Sequence, residues 1–171
     1  MLRIASAVLL ALLALPATGQ DNLPSHCIAL SDRDPGAAHL HKAGFRDPLP
    51  DQTVRLSYVG HSMVLIQTPA GHSVVTDYAG SIGPTAFVPE VATMNRAHST
   101  HWTPSPDPRI RHVLPGWNPA GGPADHYLEL DELLVRNVTT DIRSGDPARG
   151  RDGNSIFIFE VAGLCIGHLG H

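Results

Sequence analysis

Beyond Val54 the chain is cut by Gly and Pro into short apolar runs, and nothing else constrains its fold as strongly. Val54-Arg55-Leu56-Ser57-Tyr58-Val59 is followed across Gly60-His61 by Ser62-Met63-Val64-Leu65-Ile66-Gln67-Thr68. Pro69-Ala70-Gly71 then turns the chain into His72-Ser73-Val74-Val75-Thr76-Asp77. Runs of Val, Ile, Leu and Thr bounded by turn formers predict strands and hairpins, because β-branched side chains pack well on a pleated surface. Further strands are expected at Glu90 to Met94, Ile110 to Leu114, Tyr127 to Leu130, Leu133 to Val138, Ser155 to Val161 and Leu164 to His168. The continuous apolar runs between Val54 and Asp77 predict strands covered on both faces rather than half-exposed ones. WTPSPDP, GWNPAGGPAD and the polar stretch from Ser144 to Gly153 read as connections. No long amphipathic helix and no internal repeat is legible, so the strands lack an obvious helical cover.

The first residues have a different character. Arg3, an apolar run from Ala7 to Leu15 and small residues around Pro16 follow the order of a secretory signal peptide. That run is shorter than the roughly 20 residues a membrane span requires. The expected organisation is a signal peptide at 1–20, an irregular lead-in at 21–52 with several prolines, and one domain at 53–171. Export to the periplasm or the exterior follows from the leader. Once the leader is removed, no membrane association is expected. The net charge of −4 argues against nucleic acid as a partner. Cys27 and Cys165 could pair in an oxidising compartment; equally, Cys165 could be a buried thiol within the apolar run Gly163-Leu164-Cys165-Ile166.

The chemistry concentrates in Asn95-Arg96-Ala97-His98-Ser99-Thr100-His101-Trp102, which follows the apolar Val91-Ala92-Thr93-Met94. His98 and His101 stand three apart, as do His168 and His171. In a chain with 11 histidines such pairs also arise by chance, and loop histidines bonded to backbone are the plainer reading. Order along the chain supplies the missing context. Tyr58-Val59-Gly60-His61-Ser62, Val74-Val75-Thr76-Asp77, Arg96 to His101, Gly153 to Phe159 and Gly167-His168-Leu169-Gly170-His171 together resemble the metallo-β-lactamase superfamily. The resemblance runs from Val54 to His171, within the branch that includes ascorbate-6-phosphate lactonase and related metal-dependent hydrolases.

The resemblance implies an α/β fold, the αβ/βα sandwich of that superfamily, represented mainly by its N-terminal β-rich half. In the family, helices and further strands follow the strand matched here by Leu164 to His168, so the domain is expected to be incomplete. It also implies metal-dependent hydrolysis of a small ester, lactone or phosphoester-like substrate through a metal-bound hydroxide. Zinc is the default for imidazole ligands, and manganese is possible if carboxylates join. His98 and His101 fall on ligand positions of the family's HxHxDH loop, and His171 falls on the Asp of its HxGD. Asp77 is expected to orient the histidine loop, and Asp141 to support or complete the site. Arg96 replaces the loop's first histidine and could hold an anionic substrate by its fork of donors, with His61 nearby. Thr100 replaces the loop's aspartate, so the sequence does not supply the family's usual two-metal set. Two alternatives stay open: a binding protein of this fold without catalysis, and an inactive fragment.

Overall fold

The computed structural model describes Cys27, residues 44–142 and residues 150–170. The leader at 1–20, most of the lead-in, the greater part of the polar connection after Ile142, and His171 lie outside the described residues. Nine strands form, one at each place where the apolar runs predict one. The described remainder is almost entirely loop and turn.

Strands β1 (Arg55–Gly60), β2 (Met63–Gln67), β3 (Ser73–Val75), β4 (Val91–Met94) and β5 (His112–Pro115) form one sheet in chain order. The first three are antiparallel, whereas β3, β4 and β5 run parallel. Strands β6 (Tyr127–Leu130), β7 (Leu133–Thr140), β8 (Asn154–Val161) and β9 (Leu164–His168) form a second, antiparallel sheet. Its first and last hairpins are tight, whereas β7 and β8 are joined by the long connection at 141–153. Val161 pairs with Leu164 across Ala162-Gly163, and both turn residues have positive φ, as a type I′ turn requires.

The two sheets meet through Ile66, Val74 and Val91 on one side and Leu133, Val135, Phe157, Phe159 and Val161 on the other. Successive residues of a strand point to opposite faces, so Leu65, Val75 and Ala92 line the outer face of the first sheet. There they pack with Tyr78, Met94 and Ile110, under loops that bring Phe87, Trp102 and Trp117. This is why β2, β3 and β4 read as continuous apolar runs. β6 and β9 have a different pattern. Their residues alternate in exposure, because only one face of the second sheet meets the first.

Two ties outside the core join distant segments. Cys27 is disulfide-bonded to Cys165 on β9, which settles the alternative in favour of pairing. Near the start of the domain, Arg55 Nη1 donates to the carbonyls of Gly44 and Asp47, and Gln67 Nε2 donates to that of Phe45. The turn at Gly44 to Asp47 is thereby strapped onto the first sheet.

Candidate metal centre

Parallel strands leave their carboxyl ends on one side of a sheet, where the following loops form a crevice. Asp77 follows β3 there, and the stretch from Asn95 to His101 follows β4. The β1–β2 turn, carrying His61 and Ser62, reaches the same side because β2 runs antiparallel to β3. Three sequence-distant segments thus converge. Among the described residues, two cavities of about 450 and 440 Å³ lie elsewhere, at the other ends of these strands around His72, Phe87 and Val88.

The loop after β4 closes on itself. His101 N donates to the carbonyl of His98 at 2.9 Å, and Asn95 N donates to that of His101 at 3.1 Å. This returns His101 to the interior, where its ring is almost fully buried, while His98 and Thr100 remain exposed. His101 Nδ1 lies 2.6 Å from Asp77 Oδ2 and 2.9 Å from Ser62 Oγ. Asp77 is itself fully buried, and its other oxygen accepts from Asn95 Nδ2 at 2.9 Å. A buried carboxylate is costly unless its oxygens are satisfied, and here both have donors. An acceptor at Nδ1 holds the ring proton on that nitrogen and leaves the lone pair on Nε2, the atom a metal would use.

His61 and His98 complete a group of three. One potential ligand atom from each of His61, His98 and His101 lies within 4.8 Å of the others. The ring centroids are 6.0 Å apart for His61 and His98, 5.0 Å for His61 and His101, and 4.5 Å for His98 and His101. Two nitrogens on one tetrahedral zinc, each at about 2.0–2.1 Å, are roughly 3.4 Å apart. The ligand atoms, within 4.8 Å of one another, would close to that separation through rotation of the two exposed side chains. The residues fit a single divalent ion. Thr100 Oγ1 lies between the two exposed rings, 2.6 Å from His98 Nδ1 and 3.0 Å from His61 Nε2.

The remaining expected residues fall around this group. Arg96 is exposed, and its backbone N–H donates to Gly153 of the second sheet at 3.2 Å. Asp141 is exposed and accepts from Asp152 N at 2.9 Å, outside the three-histidine group. His171 is outside the described residues. Gly170 before it packs so tightly against Asn95 and Asn154 that a Cβ there would collide with their side-chain amides. His168 Nε2 donates to the carbonyl of Ser62 at 3.0 Å, joining the end of β9 to the β1–β2 turn.

Sequence reasoning placed His61 beside the substrate; the structure brings it within reach of His98 and His101. The sequence assigns no role to Ser62 or Asn95, although both lie in the stretches quoted for the site. The available signal for Asn95 was an uncharged amide directly after a fully apolar strand. For Ser62 it was only its place in a two-residue turn.

The match of the family described as the beta-lactamase superfamily domain covers residues 55–171. No curated protein matches the sequence. Among solved structures, one from Parabacteroides distasonis, whose name assigns it as a metal-dependent hydrolase, superposes with a TM-score of 0.50 at 12% identity. That alignment covers 68% of this chain and 60% of the other. CmlA, a diiron beta-hydroxylase from Streptomyces venezuelae, aligns with a TM-score of 0.45 at 14% identity, over 72% of this chain and 30% of its own. This chain thus spans less than two thirds of the length of either structure. The nine strands match the N-terminal, β-rich half of the fold, and over residues 55–171 the chain belongs to the β-lactamase superfamily, with the metallo-β-lactamase type of fold.

Proposed function

We propose that this chain is an exported metal-dependent hydrolase acting on a small ester, lactone or phosphoester-like substrate. The observation that carries the reading is the convergence of His61, His98 and His101, with His101 pinned by the buried Asp77. A divalent ion held there would polarise the group under attack and acidify a water to near neutral pH. His61, His98 and His101 would hold it, and Asp77 fixes the proton of His101. Arg96, exposed on the same loop, would meet an anionic part of the substrate. His171 and Asp141 are candidates to complete the site, with His171 following Gly170 directly. Zinc suits an all-imidazole set, and manganese becomes a competitor if carboxylates join.

Export is supported by the leader-like N-terminus and by the Cys27–Cys165 bond, since disulfides persist in oxidising compartments. The lead-in between leader and domain would then be part of the mature protein. No nucleic-acid or membrane partner is proposed for it.

Elemental analysis of the purified protein after dialysis tests the reading, beside a His98→Ala/His101→Ala double variant shown by circular dichroism to be folded. Near-stoichiometric zinc or manganese in the parent, absent from the variant, is the expected result. A folded, metal-free parent that also fails to take up added zinc would overturn it. A second reading, a non-catalytic binding protein, is favoured by two observations. The neutral hydroxyl of Thr100 already bridges the two exposed histidines, and Arg96 stands where the family has a ligand. Anion binding by the metal-free protein that is lost in Arg96→Ala would support it.

A further inference from the structure

Asn95 lies at the carboxyl end of β4, fully buried, where the two sheets come together. Both ends of its side-chain amide are hydrogen-bonded. Nδ2 donates to Asp77 Oδ1 at 2.9 Å and to the carbonyl of Ser155 at 3.3 Å. Oδ1 accepts from Ser155 N at 2.8 Å. The amide is therefore held by both backbone groups of one residue on β8, a pairing that fixes which end is oxygen and which is nitrogen. Gly116 and Gly170 approach from two sides, and a Cβ on either would run into the Asn95 amide. The neighbouring backbone is drawn in as well, since Gly116 N donates to Met94 O and Ser155 Oγ donates to Gly116 O.

An amide is the side chain this location requires. An aspartate would keep the acceptor for Ser155 N but would set a second buried carboxylate against Asp77. A serine would be too short to reach both Asp77 and Ser155. We infer that Asn95 is the positioning residue of the histidine site: it occupies Asp77 Oδ1 so that Oδ2 is left for His101, and it sets the proton of His101 on Nδ1. Because Ser155 sets the orientation of the Asn95 amide, the second sheet acts on His101 through Asn95 and Asp77. A solvent-exposed Asp77 could rotate between partners; the buried, two-point-held one cannot. The consequence for metal affinity rests on the function proposed above, whereas the consequence for the His101 tautomer does not.

The test uses the full chain, metal-free and then titrated with cobalt(II). Long-range proton–nitrogen spectra of the metal-free wild type should show His101 as a single tautomer protonated on Nδ1. In Asn95→Asp and Asn95→Ser that signal should become a mixture of tautomers. Cobalt(II) affinity, read from its visible absorption, should fall by roughly ten- to a hundredfold, the range seen when a partner of a ligand histidine is lost. A merely structural Asn95 would lower the melting temperature and leave the tautomer of the folded fraction unchanged, and that result overturns the inference. So does a wild-type His101 that carries its proton on Nε2, a measurement that needs no variant to fold. If wild-type protein binds no cobalt(II) while its His101 tautomer responds to both variants, the positioning role stands and the metal reading falls.

Discussion

His101 differs from its two companions in one respect that decides its role: it is buried, while His61 and His98 are exposed. A buried imidazole with one nitrogen 2.6 Å from a carboxylate is rigid in rotamer and in tautomer. The exposed rings share the Thr100 hydroxyl and would have to reorient to bind an ion. Asp77→Asn should therefore weaken metal binding by roughly ten- to a hundredfold while leaving His61 and His98 in place. Competition against a chelating dye on folded variant protein measures this, and an unchanged affinity would mean that Asp77 serves only the fold. Thr100 invites the opposite change. Its hydroxyl lies within hydrogen-bonding distance of both exposed rings, so a carboxylate at that position would add charge and a fourth oxygen or nitrogen donor. Thr100→Asp is expected to raise zinc affinity several-fold in the same assay; a fall would place Thr100 away from the bound ion. That His98, His101 and Asp77 come together was legible in the sequence, through order and a strand-then-loop context. The contribution of His61 was not, because it depends on a turn reaching across from another hairpin, a tertiary fact that spacing does not encode.

The strands were legible because burial leaves a local trace. β2, β3 and β4 are covered on both faces and so present unbroken apolar runs such as Val64-Leu65-Ile66 and Val74-Val75. β8 alternates between Phe157 and Phe159 on the inter-sheet face and Ile156 and Ile158 on the other, which also reads as strand. Pairing order left less trace. That β3 to β5 run parallel follows from crossovers made of irregular loop, and parallel pairing of this kind is usually announced by helices. The convergence of Asp77 and the histidine loop at one edge was hidden for the same reason. Phe159 gives the element-scale prediction. It is fully buried, in the pair register with Val135 and Ile166 on its two neighbouring strands. Phe159→Ala removes a ring from the centre of the second sheet and should cost about 3–5 kcal/mol. Urea denaturation measures it; a loss below about 1 kcal/mol would mean that neighbouring side chains collapse into the space.

At the scale of the whole molecule, the sheets are joined at the end opposite the histidines by a polar clasp between turns. Ala70 N, in the β2–β3 turn, donates to Glu132 Oε1 in the β6–β7 turn at 2.8 Å. Beside it, His72 Nδ1 lies 2.8 Å from Glu90 Oε2, and its Nε2 lies 3.3 Å from Asp131 Oδ2. Arg111 Nη1 donates to the other oxygen of Glu90 at 2.9 Å. Burial works against ionisation of Glu90, but hydrogen bonds and charge from His72 and Arg111 together outweigh it. The carboxyl is held below its ordinary value of 4.5. A group whose pKa is lower in the folded than in the unfolded chain stabilises fully above the unfolded value, and the stabilisation is lost as pH falls through the folded one. The contribution of Glu90 should thus be constant from neutral pH down to about 4.5 and decline below it. Glu90→Gln keeps the shape and one acceptor but cannot ionise. The gap in urea midpoint between wild type and Glu90→Gln should therefore be widest at neutral pH and narrow steadily as the pH falls below about 4.5. A gap that stays constant down to pH about 3 would show that Glu90 acts through packing alone, and that the charges meeting at this end of the sheets do not hold the turns together.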